Sequence, residues 1–302
     1  MAGSAEVWCQ KPTFTSNVSV VALDVQVSSG GRIVEGLEAR DFSILDEGQP
    51  QPVTHCSREE DALDVLLLFD VSASMRAGLL NMAASARRAL AELRQGDRVA
   101  AMAFDTRNWM VFPLTTNLDW AAGELSARIS RTDFEGGTYI LDALSGAAAY
   151  LKKLPPVAGR RRTVLVFTDN DGYGVGSPKG VIKAMWEANA VLNGIVIPNA
   201  ETIARRLGFG GSSRLESKDD VNPVVDATGG ETFNAADAPN AFAEILRRMR
   251  QRYTLYYDMP AGKPGQRRAV SVSLAEEAKA RFPNALILAR TGYIVPKSPG
   301  GK

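Results

Sequence analysis

Residues 63–71 read Leu-Asp-Val-Leu-Leu-Leu-Phe-Asp-Val, and this run constrains the fold more than any other segment. Val65 to Phe69 are apolar without alternation. A strand that faced water on one side would alternate, so this one must be covered on both faces, as interior strands of parallel sheets are. At nine residues it is far short of the roughly 18 or more needed to cross a bilayer, and no apolar run in the chain approaches that length.

The segments around it follow the rhythm such a sheet requires. A helix is predicted over 79–93, where Leu79, Met82, Ala83, Ala86, Leu90 and Leu93 recur at three- and four-residue spacing and Gly96 stops the pattern. Strand 98–104 follows, then an edge strand at 110–112 ended by Pro113, and a helix over 119–129 capped by Asn117 or Asp119. Further segments are helix 139–151, strand 163–167, helix 178–190, strand 192–197, a short strand at 231–233 and helix 238–250. Strands alternating with helices predict an α/β fold, a doubly wound, mostly parallel sheet flanked by helices in a Rossmann-like arrangement.

Both ends of the chain read differently. Strand 18–27 runs into the Ser28-Ser29-Gly30-Gly31 turn, which predicts a hairpin, and strands 42–45 and 51–56 flank the tight connection 46–50. After Arg252 come strands 253–257, 269–274 and 285–294. Isolated hairpins are marginal in water, so the two ends are expected to pair into one smaller all-β accessory domain. The expected organisation is 1–62 and 253–302 as the two parts of the accessory domain, with 63–252 inserted between them.

A chain of 302 residues has room for this plan, and its 45% hydrophobic and 23% charged content is ordinary for a globular protein. The net charge of +1 gives no overall field to steer the molecule toward nucleic acid or an anionic membrane. Met1-Ala2-Gly3-Ser4 lacks the charged and apolar regions of a signal peptide, so the N-terminus does not reveal the compartment. Cys9 and Cys56 are the two cysteines, and both a disulfide and two free thiols are open.

The chemistry concentrates in Asp70-Val71-Ser72-Ala73-Ser74, directly after the apolar strand and before a helix. Open α/β sheets bind ligands beyond the carboxyl ends of their strands, so these side chains stand where a site is expected. One carboxylate and two hydroxyls on a turn are hard oxygen ligands, although a serine-rich turn also serves simply to cap a helix. Gly136-Gly137-Thr138, opening a helix, and Thr168-Asp169-Asn170, ending the next central strand, are expected on the same edge.

With these motifs in place, the region from about Asp64 to Arg252 resembles the von Willebrand factor A family. Its metal-ion-dependent adhesion site uses Asp-x-Ser-x-Ser, a distant Thr and an Asp from a later Thr-Asp motif. The resemblance implies that Ser72, Ser74 and Thr138 are hydroxyl ligands and that Asp70 and Asp169 coordinate directly or through water. Asn170 departs from the family pattern, which commonly has Gly after the Asp. The flanks resemble bacterial exported proteins with a related domain, through Gly36-Leu37-Glu38-Ala39-Arg40-Asp41-Phe42, Asp46-Glu47-Gly48 and Arg290-Thr291-Gly292-Tyr293. That likeness implies an extracytoplasmic, periplasmic or secreted, location.

Oxygen donors without a His or Cys cluster favour Mg²⁺, with Mn²⁺ or Ca²⁺ also compatible. Two carboxylates roughly balance the ion, so an open coordination position would favour a carboxylate from a protein partner. The expected function is divalent-cation-dependent adhesion or assembly, without catalysis, nucleic-acid binding or a membrane span in this chain. The oligomeric state and the ligand are not specified. Loops 170–177 and 199–220 should surround the ion, with Tyr173, Phe209 and Arg214 as ligand-contact candidates. In family members that switch, the last helix moves, and 238–250 corresponds to it here, although ordinary packing explains the same pattern.

Other readings are weaker. An interaction scaffold with an empty or purely structural metal site is the main alternative. An Asp-based phosphotransferase would need an acid/base Asp two positions after Asp70, where Ser72 stands. His55, the single histidine, sits beside Cys56, and adjacent strand residues point to opposite faces, which disfavours a catalytic pairing. Arg160-Arg161-Arg162 and Arg247, Arg248, Arg250 and Arg252 are expected to be solvated surface, because no stacking aromatics accompany the first cluster as they do at nucleic-acid sites.

Overall fold

The structure, a computed structural model, describes residues 20–58, 61–155, 157, 159–173, 176–197, 220–234 and 238–296. In chain order the strands are β1 (Val20–Ser29), β2 (Arg32–Ile33), β3 (Phe42–Asp46), β4 (Gln49–Gln51), β5 (His55–Arg58) and β6 (Ala62–Asp70). Helices α1 (Arg76–Ala84) and α2 (Ala86–Leu90) precede β7 (Arg98–Phe104) and β8 (Asn108–Thr115), followed by α3 (Leu118–Ser130) and α4 (Ile140–Lys153). Then come β9 (Arg160–Thr168), α5 (Pro178–Glu187), β10 (Ala190–Val196), α6 (Asn222–Thr228), β11 (Thr232–Asn234) and α7 (Ala238–Arg250). The chain continues through β12 (Tyr253–Asp258), β13 (Arg267–Leu274), α8 (Glu276–Arg281), β14 (Leu286–Ala289) and β15 (Gly292–Ile294).

The central sheet has six strands in the order β11-β10-β9-β6-β7-β8, all parallel except the antiparallel edge strand β8. Pro113 lies in β8, where one side of the strand needs no ladder partner. The unbroken apolar run of β6 is buried on both faces, as its composition requires. Val65, Leu67 and Phe69 pack into a core with α1, α2, α3 and α7, while Leu66 and Leu68 pack with α4, α5 and α6. Phe69 and Phe167 stack with centroids 4.8 Å apart, joining β6 to β9 on one face.

Both chain ends form two antiparallel sheets beside this one. β14-β1-β12-β5, with β2 on β1, makes the first, and β15-β13-β3-β4 the second. Strands remote in sequence pair directly, Leu23 with Leu255 in one sheet and Ile44 with Val272 in the other. Their shared core contains Val21, Leu23, Ile44, Tyr253, Tyr257 and Tyr293. The expected hairpin at Gly30-Gly31 forms, with both glycines at positive φ (56° and 78°), the backbone a two-residue hairpin turn requires.

Several expected elements differ in detail. The helix predicted over 79–93 begins at Arg76 and divides at Ser85, whose hydroxyl donates to the Met82 carbonyl at 2.9 Å, a local bond that competes with the helical ladder. The strand predicted at 51–56 is two strands in different sheets, β4 and β5, parted at Pro52. The strand predicted at 285–294 likewise divides into β14 and β15 around Arg290-Thr291, and the edge strand expected at 110–112 extends over Asn108–Thr115. Helices α6 and α8 had not been expected; α6 is only seven residues long and closes on Gly229 at φ 77°, with the Gly229 N–H donating to the carbonyl of Asp226.

The arginine clusters correct a further expectation, because most of their members are not solvated. Arg160 pairs with buried Asp64 at 2.8 Å, and Arg161 donates to the carbonyls of Met249 and Arg250. Arg250 pairs with Asp97 and Arg252 with Asp24, all but Asp24 nearly excluded from water. Arg248 binds Glu231, leaving Arg247 as the exposed member of the second group. The reason is topological: both clusters lie where the central sheet meets the β1–β12 sheet, and Arg161, Arg248 and Arg252 join the two through Asp24, the Gly31 carbonyl and the Leu288 carbonyl. Cys56 is a free cysteine among the described residues and its thiol is pushed up to about 11, mainly by burial; Cys9 lies outside them.

Candidate metal centre at the carboxyl end of the central sheet

Strand order places the site. From β6 the chain moves one way to β7, whereas β9, β10 and β11 extend the sheet the other way, so the crevice between the ends of β6 and β9 is a topological switch point. Asp70 ends β6 and Asp169 directly follows β9. The register Phe69↔Phe167 sets Thr168 beside Asp70.

Asp70 is fully buried, and its Oδ1 accepts the Ser72 backbone N–H at 3.0 Å while its Oδ2 accepts the Thr168 hydroxyl at 2.8 Å. Ser72 Oγ and Ser74 Oγ stand 3.2 Å apart. Asp169 is 2% exposed, and its Oδ1 accepts the Asp171 N–H at 3.2 Å. Burial pushes the Asp70 carboxyl up to about 7; hydrogen bonds from Ser72 oppose the rise, and the charge of Asp169 adds to it. Two buried carboxylates therefore sit close enough to repel, with hydroxyls on the same turn.

Thr138 is 5% exposed and precedes α4. Its loop is fixed from two sides: the Tyr139 N–H donates to the Asp105 carbonyl at 3.0 Å, and the Tyr173 N–H donates to the Thr138 carbonyl at 2.9 Å. Tyr173 lies over this loop so closely that a Cβ on Gly137 would come within 1.9 Å of its hydroxyl oxygen, so a larger residue there would displace the ring. The Tyr173 ring is 55% exposed and meets Tyr139 edge-to-face at 5.6 Å. Of the other ligand-contact candidates, Phe209 and Arg214 lie outside the described residues, as does loop 199–219.

Asn170 has φ 57°, the left-handed region that favours Gly and tolerates Asn. A side chain at a position where the family commonly has glycine is thus accommodated by the residue type best suited to that backbone. Its amide also anchors the start of α6, accepting the Val221 N–H and donating to Asp220 Oδ1.

Spacing alone points to no role for Thr168 or Asp105. A polar residue ending an otherwise apolar strand was the available signal for Thr168, and aligning the ends of the two apolar runs would have set it beside Asp70. Asp105 acts through its backbone and its hydrogen bond to the Arg107 N–H, for which no spacing rule exists.

The donor set suits a hard cation. Neighbouring oxygens around an octahedral ion at about 2.0–2.1 Å are about 3 Å apart, close to the Ser72–Ser74 separation. Among the described residues no three His, Cys, Asp or Glu side chains gather, so hydroxyls would have to complete the shell. No helix among the described residues is long and apolar enough to cross a membrane.

Residues 65–172 match the family model of the von Willebrand factor type A domain. No curated protein matches the chain. Among solved structures it is similar to a von Willebrand factor type A protein from Catenulispora acidiphila at 14% identity, covering 94% of this chain and 76% of that one, with TM-score 0.48. It is also similar to the conserved hypothetical protein BatB from Bacteroides thetaiotaomicron at 19% identity, covering 62% and 98%, with TM-score 0.47. A third likeness, at 17% identity over 69% of this chain, is to proximal thread matrix protein 1 from the mussel byssus with a zinc-occupied MIDAS motif; the TM-score is 0.49, and the match spans half of that protein. Likeness at this level transfers nothing, and the domain assignment rests on the family match and the strand order.

Proposed function

We propose, from the premise that this chain carries a von Willebrand factor type A domain, that it is a protein-binding module acting through a divalent cation at the end of β6. Ser72, Ser74 and Thr138 would hold the ion through hydroxyls, and Asp70 and Asp169 through their carboxylates. The observation that carries the proposal is the buried, mutually repelling pair Asp70 and Asp169 beside the Ser72–Ser74 hydroxyl pair. A cation relieves that repulsion and offers a Lewis-acidic position to a carboxylate from a partner. Mg²⁺ is the preferred ion, with Mn²⁺ or Ca²⁺ able to replace it.

The chain's own residues prepare the site. Thr168 orients Asp70, the Asp105 carbonyl and Tyr173 hold the Thr138 loop, and the exposed Tyr173 ring gives a partner an aromatic edge beside the ion. The reading includes no catalytic step. It places the module outside the cytoplasm, with the domain division 1–62, 63–252 and 253–302.

The test is calorimetric titration of metal-stripped protein with Mg²⁺ and with Mn²⁺, beside Asp70→Ala. Saturable one-site binding that disappears in the variant is expected. Wild-type protein that takes up neither ion would overturn the cation-dependent reading in favour of a scaffold that recognises partners without metal.

A further inference from the structure

At the opposite end of the central sheet, where it meets the β1–β12 sheet, is a cavity of about 200 Å³. Arg160, Arg161, Arg162 and Arg290 line it, together with Asp24 and Asp61. We infer that this cavity is a binding site for a small oxyanion of the phosphate or sulfate class, held between the two sheets by Arg161 and Arg290.

Charge is the first ground. The hydrogen-bonded cluster around the cavity brings together Arg98, Arg160, Arg161, Arg250 and Arg252, with Arg162 and Arg290 at the wall. The carboxylates of the cluster are Asp24, Asp61, Asp64 and Asp97, and they are already engaged. Asp64 holds both Arg98 and Arg160, Asp24 both Arg161 and Arg252, and Asp97 holds Arg250. Asp61 Oδ2 accepts from Thr254 Oγ1 and Tyr256 Oη. Arginine stays charged, so the cluster carries more positive than negative charge in a poorly solvated place.

Unused donors are the second ground. Arg162 donates to the carbonyls of Ala188, Leu154 and Pro155, and Arg290 to Asn189 Oδ1 and the Ala22 carbonyl, all neutral oxygens. Nε of Arg161 and Nε of Arg290 are both buried without a hydrogen-bond partner, and Arg161 as a whole is 6% exposed. An orphaned guanidinium N–H is costly, and each of these two meets an oxyanion once its side chain turns the N–H into the cavity, where a charge-assisted bond satisfies it. Desolvation lowers the proton affinity of both Arg162 and Arg290, and the charges of Asp64 at the first and Asp24 at the second only partly offset it.

Size is the third. The cavity has room for one tetrahedral oxyanion with its hydration. The site is distinct from the Asp70 cation site and independent of the reading given above.

The experiment titrates inorganic phosphate into the full chain at constant ionic strength, followed by calorimetry. One-site binding is expected, weakened roughly ten- to a hundredfold in Arg290→Gln, the worth of one charge-assisted hydrogen bond. Arg161→Lys, which keeps the charge and removes the Nε–H, should weaken it similarly, and circular dichroism confirms that each variant is folded. Asp70→Ala should bind phosphate as wild type does. Wild-type protein that shows no saturable binding, or equal binding in both arginine variants, would overturn the assignment. Phenyl phosphate that binds as tightly as phosphate would overturn the small-oxyanion assignment in favour of a phosphoryl subsite for a larger ligand.

Discussion

The two ends of the six-stranded sheet bury charge in opposite ways. At the amino end, where β9 starts, arginines meet buried aspartates one to one or two to one, as buried Arg250 meets Asp97 and half-buried Arg98 and Arg160 meet Asp64. At the carboxyl end, Asp70 has 0% exposure and hydrogen bonds only from neutral groups among the described residues, Ser72 and Thr168, while Asp169 adds like charge. Burying a charge without a counter-charge is expensive, and a chain able to place five arginines at one end of a sheet could have placed one at the other. The difference indicates that the ion pairs of the amino end hold the molecule together around the inferred oxyanion cavity, whereas the carboxylates of the other end are left for a cation.

Substitutions at the two ends should therefore diverge. The largest effect is expected from Asp97→Ala, which strands Arg250 and frees the N–H groups of Leu63 and Arg94: a loss of about 3–5 kcal/mol in denaturant unfolding, with metal affinity unchanged in the folded fraction. Asp70→Asn removes a buried carboxylate from the other end, yet without metal its stability should stay within about 1 kcal/mol of wild type, because the lost repulsion offsets the altered hydrogen bonds. A loss as large as that of Asp97→Ala would erase the contrast between the two ends.

Smaller effects sharpen it. Thr168→Val removes the hydroxyl that orients Asp70 without removing a proposed ligand, and Mn²⁺ affinity should fall about 10–100-fold in a calorimetric titration. Unchanged affinity would mean that Asp70 is positioned by Ser72 alone. Asn170→Ala should melt below Asn170→Gly by an amount corresponding to roughly 1–2 kcal/mol, since both lose the amide contacts to Asp220 and Val221 and only alanine suffers at positive φ.

Much of this architecture is legible in the sequence because it depends on local periodicity. The doubly buried β6 run, the amphipathic α4 and the Asn117 cap of α3, which accepts the Trp120 N–H at 3.0 Å, follow from spacing and residue type. The Asp-x-Ser-x-Ser turn is readable for the same reason, since its residues touch one another across two positions. What escapes is set by partners far away in the chain. Ser85 divides a helix through a single hydroxyl, and 285–294 changes sheet at Arg290 because that residue reaches Asn189 and Ala22. The arginine clusters look like solvated surface in sequence because their aspartate partners lie as far as 228 residues away, as Asp24 does from Arg252.

Asp61 and Thr254 flank the α/β region in sequence, one before β6 and the other after α7, and their side chains are hydrogen-bonded at 2.8 Å. The polypeptide thus leaves the accessory sheet and comes back to it at nearly the same point. A few glycines and serines would be enough to replace the whole excursion, and the excised piece could be closed on itself by an equally short splice. The proposed cation site travels entirely with that piece, whereas the arginine-lined seam exists only while the two parts remain joined.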